Sequence, residues 1–378
     1  MQIPFAHSER SSVGIEWELA LVDTDSGDLR QVAATVLDAV RPADGGEHPN
    51  IRQELLLNTV EIVSKVSRTV GEAGADLQRA IEEVRAVTDP LRVELMCAGT
   101  HPFARWSNQK VTDKERYATL IDRTQWWGRQ MLIYGVHVHV GIEDRAKVLP
   151  ISRALLTALP YLQSLSASSP FWGGKDTGYA SNRALMFQQL PTAGVPFQFE
   201  RWEQLEGYVA DMMHTGVIDQ FDEIRWDVRP SPRFGTLEMR VCDGATNQTE
   251  LMALSALMHC LVEHFSTMLD QGRELPVMPP WFVQENKWRS ARYGMDAIVI
   301  LNKEGDEELV TDAVRRLVAD LEPTAARLGC ADELAGVHTI LDRGASYQRQ
   351  RAVARRHGGE LDAVVASLVA EMRAGRPL

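Results

Sequence analysis

Val13-Gly14-Ile15-Glu16-Trp17-Glu18-Leu19 decides how the chain is read, because apolar and acidic residues alternate along it. In a β-strand, residues two apart project to the same side. Glu16 and Glu18 therefore share one face, and Ile15, Trp17 and Leu19 share the other. Gly135-Val136-His137-Val138-His139-Val140-Gly141 repeats the pattern with two imidazoles set against three valines. Thr236-Leu237-Glu238-Met239-Arg240-Val241 repeats it again, with a carboxylate and a guanidinium against Leu237, Met239 and Val241. One such strand is what any antiparallel sheet with a wet face produces. Three in one chain point to a shared chemical face.

If the three strands belong to one sheet, their apolar sides pack on helices. Their polar sides then gather Glu16, Glu18, His137, His139, Glu238 and Arg240. Glu61, between Val60 and Ile62 in a strand-like context, can join them, whereas Glu54 has a less clear place and reads as facing water. Clustered carboxylates repel and raise one another's pKa values unless something positive sits among them. Divalent cations supply that charge, and a donor set dominated by oxygen with an imidazole or two favours magnesium or manganese over zinc. Such ions with one arginine suit a site that holds polyphosphate and neutralises a moving phosphoryl group.

Two further segments are candidates for substrate contacts. Lys114-Glu115-Arg116-Tyr117 opens a helix whose first turn could meet an anion, although a solvated helix start explains it as well. Trp172-Gly173-Gly174-Lys175-Asp176-Thr177-Gly178 could fold over phosphates through Lys175, with Arg183 and Tyr179 nearby. It lacks the G-x-x-x-x-G-K-[ST] spacing of a Walker loop, and an ordinary turn explains it equally.

Around these motifs the chain alternates strands and helices without a regular βαβ beat, which argues α+β. Strands are expected at 13–22, 59–65, 92–98, 134–142, 224–228 and 235–242. Helices are expected at 71–88, 113–131, 148–168 (with Pro160 bending or breaking it), 202–215 and 250–269. Residues 169–196 read as a long structured loop. From about residue 281 the reading is helical, with segments at 306–328, 332–357 and 359–374. No Pro/Gly/Ser linker divides the chain, so residues 1–378 are expected to form one domain.

The chain has 378 residues, with 44% hydrophobic and 24% charged, which suits a globular protein able to bury a large core. Acidic residues outnumber basic ones, 52 against 40, for a net charge of -12. That balance disfavours sequence-independent nucleic-acid binding, which needs a basic surface to displace counterions. Cys97, Cys242, Cys260 and Cys330 are far apart and offer neither a disulfide framework nor a zinc knuckle. Cys260 and Cys330 read as buried hydrophobes; Cys242, on the side of Glu238 and Arg240, reads by default as strand-end packing. The first ten residues lack the basic and apolar regions of a signal peptide. The most apolar run, 251–265, is interrupted by His259, Glu263 and His264, so no bilayer span and a cytoplasmic location are expected.

The motifs at 14–18, 60–61, 135–141 and 236–243, with Ser168-Ser169-Pro170-Phe171-Trp172, Asp176-Thr177-Gly178-Tyr179-Ala180-Ser181 and Glu285-Asn286-Lys287-Trp288, occur in an order that resembles the glutamate–cysteine ligase type 2 family, also called carboxylate–amine ligases. The likeness runs from about residue 10 to the C-terminal helices. It implies a glutamine-synthetase-like fold, in which a curved antiparallel sheet forms a funnel with helices on its outer face and the inner face binds ATP and metal ions. It also implies phosphorylation of a side-chain carboxylate, classically that of glutamate, followed by attack of an amine. Carried over by position, Glu16, Glu18, Glu61, His137 and Glu238 resemble metal ligands, with His139 at a more variable polar position. Arg240 resembles the phosphate-stabilising arginine, and a homodimer is a family-level expectation. Two other readings stand beside this one: a metal-dependent hydrolase using His137 and His139, and a nucleotide-binding relative that has lost turnover.

Overall fold

The computed structural model describes residues 1–378. Its main sheet comprises β1 (Val13–Asp23), β2 (Ile51–Gln53), β3 (Thr59–Val63), β4 (Val93–Met96) and β5 (Val136–Gly141). After a small hairpin of β6 (Phe171–Trp172) and β7 (Lys175–Asp176), the main sheet gains β8 (Val228–Ser231) and β9 (Thr236–Met239). The strand order is β2-β3-β1-β5-β9-β8, with β4 also on β1, and every pairing is antiparallel. β1 is the central strand. One edge carries β3, while the other is shared by β5 at residues 13–17 and β4 at residues 20–23. The sheet stays open, with β2 and β8 at its ends.

The alternation seen in the sequence becomes two faces. Ile15, Trp17, Leu19, Val136, Val138, Val140, Leu237 and Met239 are all buried. Against them pack α2 (Val70–Thr88), α4 (Arg145–Ser166) and α7 (Gln248–Asp270). In the first of these, Thr69 and Glu72 form a capping box, and Leu77, Ile81 and Val84 turn inward at helical spacing. The seventh helix passes as a membrane span by length and composition, yet 78% of its most apolar window is buried in the fold. The fourth continues through both Pro150 and Pro160. The remaining N-terminal and middle helices are α1 (Ala33–Ala39), α3 (Glu115–Arg129), α5 (Asn182–Phe187) and α6 (Trp202–His214). α3 and α5 lie toward the polar face, so helices are not confined to the outer side.

Several expected elements differ. The 169–196 stretch contains the β6-β7 hairpin and α5. The strand expected at 224–228 instead begins at Val228 and runs through Pro230. Proline is tolerated there because β8 is an edge strand that pairs only with β9. The C-terminal part holds α8 (Pro280–Tyr293), α9 (Val310–Leu328), α10 (Ala331–Arg343), α11 (Ser346–Arg356) and α12 (Asp362–Ala374). A hairpin of β10 (Ile298–Ile300) and β11 (Glu307–Leu309) interrupts them, too short to show a period of its own. The helix expected at 332–357 is divided at Gly344, whose φ of 83° lies outside helical space.

One buried ion pair joins the helical layer to the sheet. Lys287 of α8 donates from Nζ to Asp227 at 2.6 Å, and both side chains are at most 5% exposed. The backbone carbonyl of Asp227 in turn accepts the N–H of Arg240 at 2.8 Å, so the pair braces the strand that carries the site arginine. Removing one partner of such a pair leaves an uncompensated buried charge. Lys287→Ala is therefore expected to destabilise the fold by about 3–5 kcal/mol, read from the denaturant midpoint. The double change Lys287→Met with Asp227→Asn should recover part of the loss.

Candidate functional site

Register brings the polar positions of four strands side by side. Glu16 lies opposite His137, Glu18 opposite Glu61, and His139 opposite Glu238. The imidazole Nδ1 of His137 is 3.0 Å from Glu16 Oε2, and His139 Nε2 is 3.4 Å from Glu16 Oε1. His139 Nδ1 meets Thr236 Oγ1 at 2.9 Å. Glu238 is clamped between two guanidiniums: Arg229 donates from Nε at 2.7 Å, and Arg240 donates from Nη1. Glu18 Oε2 accepts the backbone N–H of Gly135 at 2.6 Å. A side chain at Gly135 would collide with the guanidinium of Arg183.

Two sets of donor atoms lie close enough to share an ion. Glu16, His137 and Glu238 form one, and Glu18, Glu61 and His137 form the other; within each, the ligand atoms are within 4.8 Å of one another. His137 belongs to both. Acids outnumber imidazoles in each set, the composition that hard divalent cations such as magnesium or manganese prefer.

The electrostatics show where positive charge is missing. Burial pushes Glu16 upward, but hydrogen bonds from His137 and His139 outweigh it and hold the carboxyl well below its usual range. Burial is likewise outweighed at Glu238, by Arg229 and then Arg240. Burial lowers His137 to about 4, with Arg240 adding to it. His139 is raised, since Glu238 and Glu16 overcome its burial. Glu18 and Glu61 go the other way. Burial, then repulsion by Glu54, raises Glu18 to about 8. Burial, then Glu16, Glu54 and Glu18, raises Glu61 well above the carboxylate range. Glu54 is raised too, chiefly by burial. These three acids make no ion pair with Lys or Arg, whereas Glu238 has two. The residues present thus fit a divalent cation.

Beside the cluster opens a cavity of about 550 Å³. Glu18, His137 and Arg240 reach it from the sheet, Arg116 and Tyr117 from the start of α3, and Arg183 from α5. Arg116 stacks on Tyr117, 4.4 Å from the ring centroid, and donates to its hydroxyl. The guanidiniums of Arg183 and Arg240 both lie over the ring of Phe187, 5.6 and 5.9 Å from its centroid. Arg183 is placed by an acid behind it: buried Asp243 accepts from the hydroxyls of Ser169 and Ser181 at 2.6 and 2.7 Å. Ser181 caps α5, and Ser169 accepts the N–H of Arg183 at 3.0 Å.

The fold therefore brings together Glu16, Glu18, Glu61, His137, His139, Glu238 and Arg240, and sets Arg116, Tyr117 and Arg183 around the adjoining cavity. Lys175 is the correction. It is exposed on the β6-β7 hairpin and does not line the cavity, because the hairpin turns outward at Gly173 and Gly174. Neighbouring Asp176 is fixed to Arg351 of α11 at 2.6 Å. Tyr179 does not line the cavity either. Cys242 is buried with its sulfur against the carbonyl of Leu162, at strand-end packing distance. Glu54, read as facing water, lines the cavity instead. Arg229, Arg123 and Arg225 were not expected. Arg229 could have been found from the alternation Asp227, Arg229, Ser231 beside β9; the other two carry no local signal.

Residues 12–367 match the family Glutamate-cysteine ligase family 2. The chain is 60% identical over 380 residues to a protein of an Arthrobacter species provisionally named glutamate–cysteine ligase 2-1, covering 99% of both chains. It is 59% identical over 374 residues to a provisionally named glutamate–cysteine ligase 2 of Leifsonia xyli, again with 99% of each covered. Among solved structures, the glutamate–cysteine ligase of Francisella tularensis in complex with AMP superposes with a TM-score of 0.68 at 12% identity, over 98% of this chain and 90% of that one. A bifunctional glutathione synthetase from Pasteurella multocida gives 0.64 at 15% identity, over 96% of this chain and 51% of that one. The fold is that of the glutamine-synthetase-like ligases, and the family is one of carboxylate–amine ligases. The chain belongs to glutamate–cysteine ligase family 2.

The raised carboxylates make a pH signature. Between the ordinary carboxylate range and about pH 8, the folded protein holds a proton on Glu18 that the unfolded chain has released, so this group's contribution falls as pH rises. A bound divalent cation replaces that proton. The increase in melting temperature on adding millimolar magnesium or manganese should therefore be larger at about pH 8.5 than at about pH 6.5. Glu18→Gln should flatten the difference. No response to either ion at any pH would show that the cluster does not take divalent cations.

Proposed function

We propose that the protein is an ATP-dependent ligase that phosphorylates the side-chain carboxylate of glutamate and joins it to an amine, cysteine being the first candidate, with release of ADP and phosphate. The observation that carries this reading is the pair of acid-rich ligand sets sharing His137, directly beside a cavity edged by Arg240, Arg183 and Arg116. Family membership and the names of the relatives support it. The AMP complex of the Francisella ligase supports a nucleotide as co-substrate.

The chemistry explains the layout. A carboxylate is a poor electrophile, and oxide is a very poor leaving group. Transfer of the terminal phosphoryl group supplies the leaving group, and the amine then attacks the acyl phosphate. Such a step needs positioning and charge stabilisation more than covalent participation by the protein. Magnesium held by Glu16, His137 and Glu238, and by Glu18, Glu61 and His137, would neutralise polyphosphate charge. Arg240 is partly buried, is anchored by Glu238 and opens to the cavity, so it can offset charge on the moving phosphoryl group without reorganising. Arg183, backed by Asp243 through the two serines, and Arg116, stacked on Tyr117, present further positive charge to anionic substrates.

No observation favours a hydrolase built on the histidine pair. The ligand sets are dominated by acids, and His139 belongs to neither. The test is phosphate release from ATP with magnesium, glutamate and a panel of amines, cysteine included. Release is expected only when both acceptors are present, with formation of the amide. Nucleotide binding without amide across the whole panel would mark a protein that has lost turnover. Arg240→Ala should lower kcat by about 10²–10³-fold with a smaller change in KM.

A further inference from the structure

The cavity wall opposite the first turn of α3 is built by the turn Phe221–Glu223 and the residues leading into β8. Two of its three acids, Glu223 and Asp219, are already used. Glu223 accepts the N–H groups of Asp219 and Gln220 on Oε1, at 2.8 and 3.3 Å, and Arg123 on Oε2, at 3.1 Å. Asp219 takes the other arm of Arg123 at 2.7 Å. Arg225 lines the same cavity and is left without a carboxylate: its guanidinium donates only to the backbone carbonyl of Glu223, at 2.7 Å. Its backbone is pinned as well, since its N–H donates to Thr192 Oγ1 at 3.2 Å and that hydroxyl bonds the same carbonyl.

Besides Arg123, two of the other arginines nearby pair with a carboxylate, whereas Arg116 and Arg183, like Arg225, line the cavity without an ion pair. Arg229 and Arg240 are spent on Glu238. Arg183 offsets the charge of Glu18. Burial, with help from Arg240, Arg229 and Arg123, outweighs the charge of Glu223 and pulls the pKa of Arg225 down to about 10. A partly buried, immobilised guanidinium with free donors facing a cavity offers a fork that matches a planar carboxylate.

We infer that Arg225 binds a substrate carboxylate that takes no part in the reaction, and so selects amino-acid substrates over their decarboxylated or amidated analogues. The inference rests on the ligase reading and extends it. Two sources could supply such a group: the second carboxylate of the molecule being activated, or the carboxylate of the incoming amine.

Calorimetric binding to the full-length protein separates them, with two matched pairs as probes: glutamate against its α-amide, and cysteine against cysteamine. A non-hydrolysable ATP analogue serves as the control. The wild-type protein should prefer the carboxylate-bearing member of one pair by about 10- to 100-fold. Arg225→Met should abolish that preference and leave the affinity for the ATP analogue unchanged. Arg225→Lys should restore part of it, since the charge remains while the fork is lost, and it carries the test should the methionine variant fail to fold. A preference that survives in both variants, a weakening confined to the nucleotide, or no preference by the wild-type protein in either pair would overturn the inference. Loss of the preference on substitution, in a protein that never forms an amide, would uphold the carboxylate site and sink the ligase reading instead.

Discussion

Mutual repulsion among carboxylates held on one face of a sheet is the constraint on which the structure depends. Strand register brings Glu16 close to Glu238 and Glu18 close to Glu61, and the side opposite each is committed to the core. A slip of one residue in any pairing would turn the acids into that core and its apolar residues outward. Register and site are thus specified by the same alternation. The apolar half drives the assembly of the sheet on α2, α4 and α7, and the polar half must be tolerated or neutralised.

The neutralisation is uneven, and the unevenness has chemical meaning. At one end, Glu238 is satisfied by Arg229 and Arg240, and Glu16 by two imidazoles. At the other, Glu18, Glu61 and Glu54 face one another without an ion pair, their charge only partly offset by the guanidiniums of Arg183, Arg116 and Arg240. The first half is preorganised and holds Arg240 in a fixed orientation, helped by the Asp227 carbonyl and, behind it, Lys287. The second half awaits charge from outside. A face divided in this way can grip cations at one end while presenting a fixed guanidinium at the other, an arrangement suited to polyanionic substrates.

Legibility followed the range of the interactions. The alternating strands, the capped helix α2 and the apolar α7 were readable because their signals lie within a few residues. The Arg229-Pro230 end of β8 was misread because whether proline is tolerated depends on which edge of the sheet the strand occupies. Glu54 was read as facing water because it follows β2 with no alternation around it; only the folding of α3 across the polar face encloses it. Lys175 looked suited to phosphate because glycines precede it, yet those glycines make a turn that carries it away from the cavity.

By itself the sequence determined which residues could share a face, since side-chain direction along a strand has a period of two whatever the strand's neighbours. It also carried the order of motifs by which the family is recognised. The tertiary structure alone decided which faces meet: that Glu18 lies opposite Glu61, that Glu16 lies opposite His137, and that Arg123 takes the acids that Arg225 lacks. Those outcomes depend on pairings between residues tens to more than a hundred positions apart. No local pattern encodes them, because the energy that selects them is the burial of apolar surface elsewhere in the sheet.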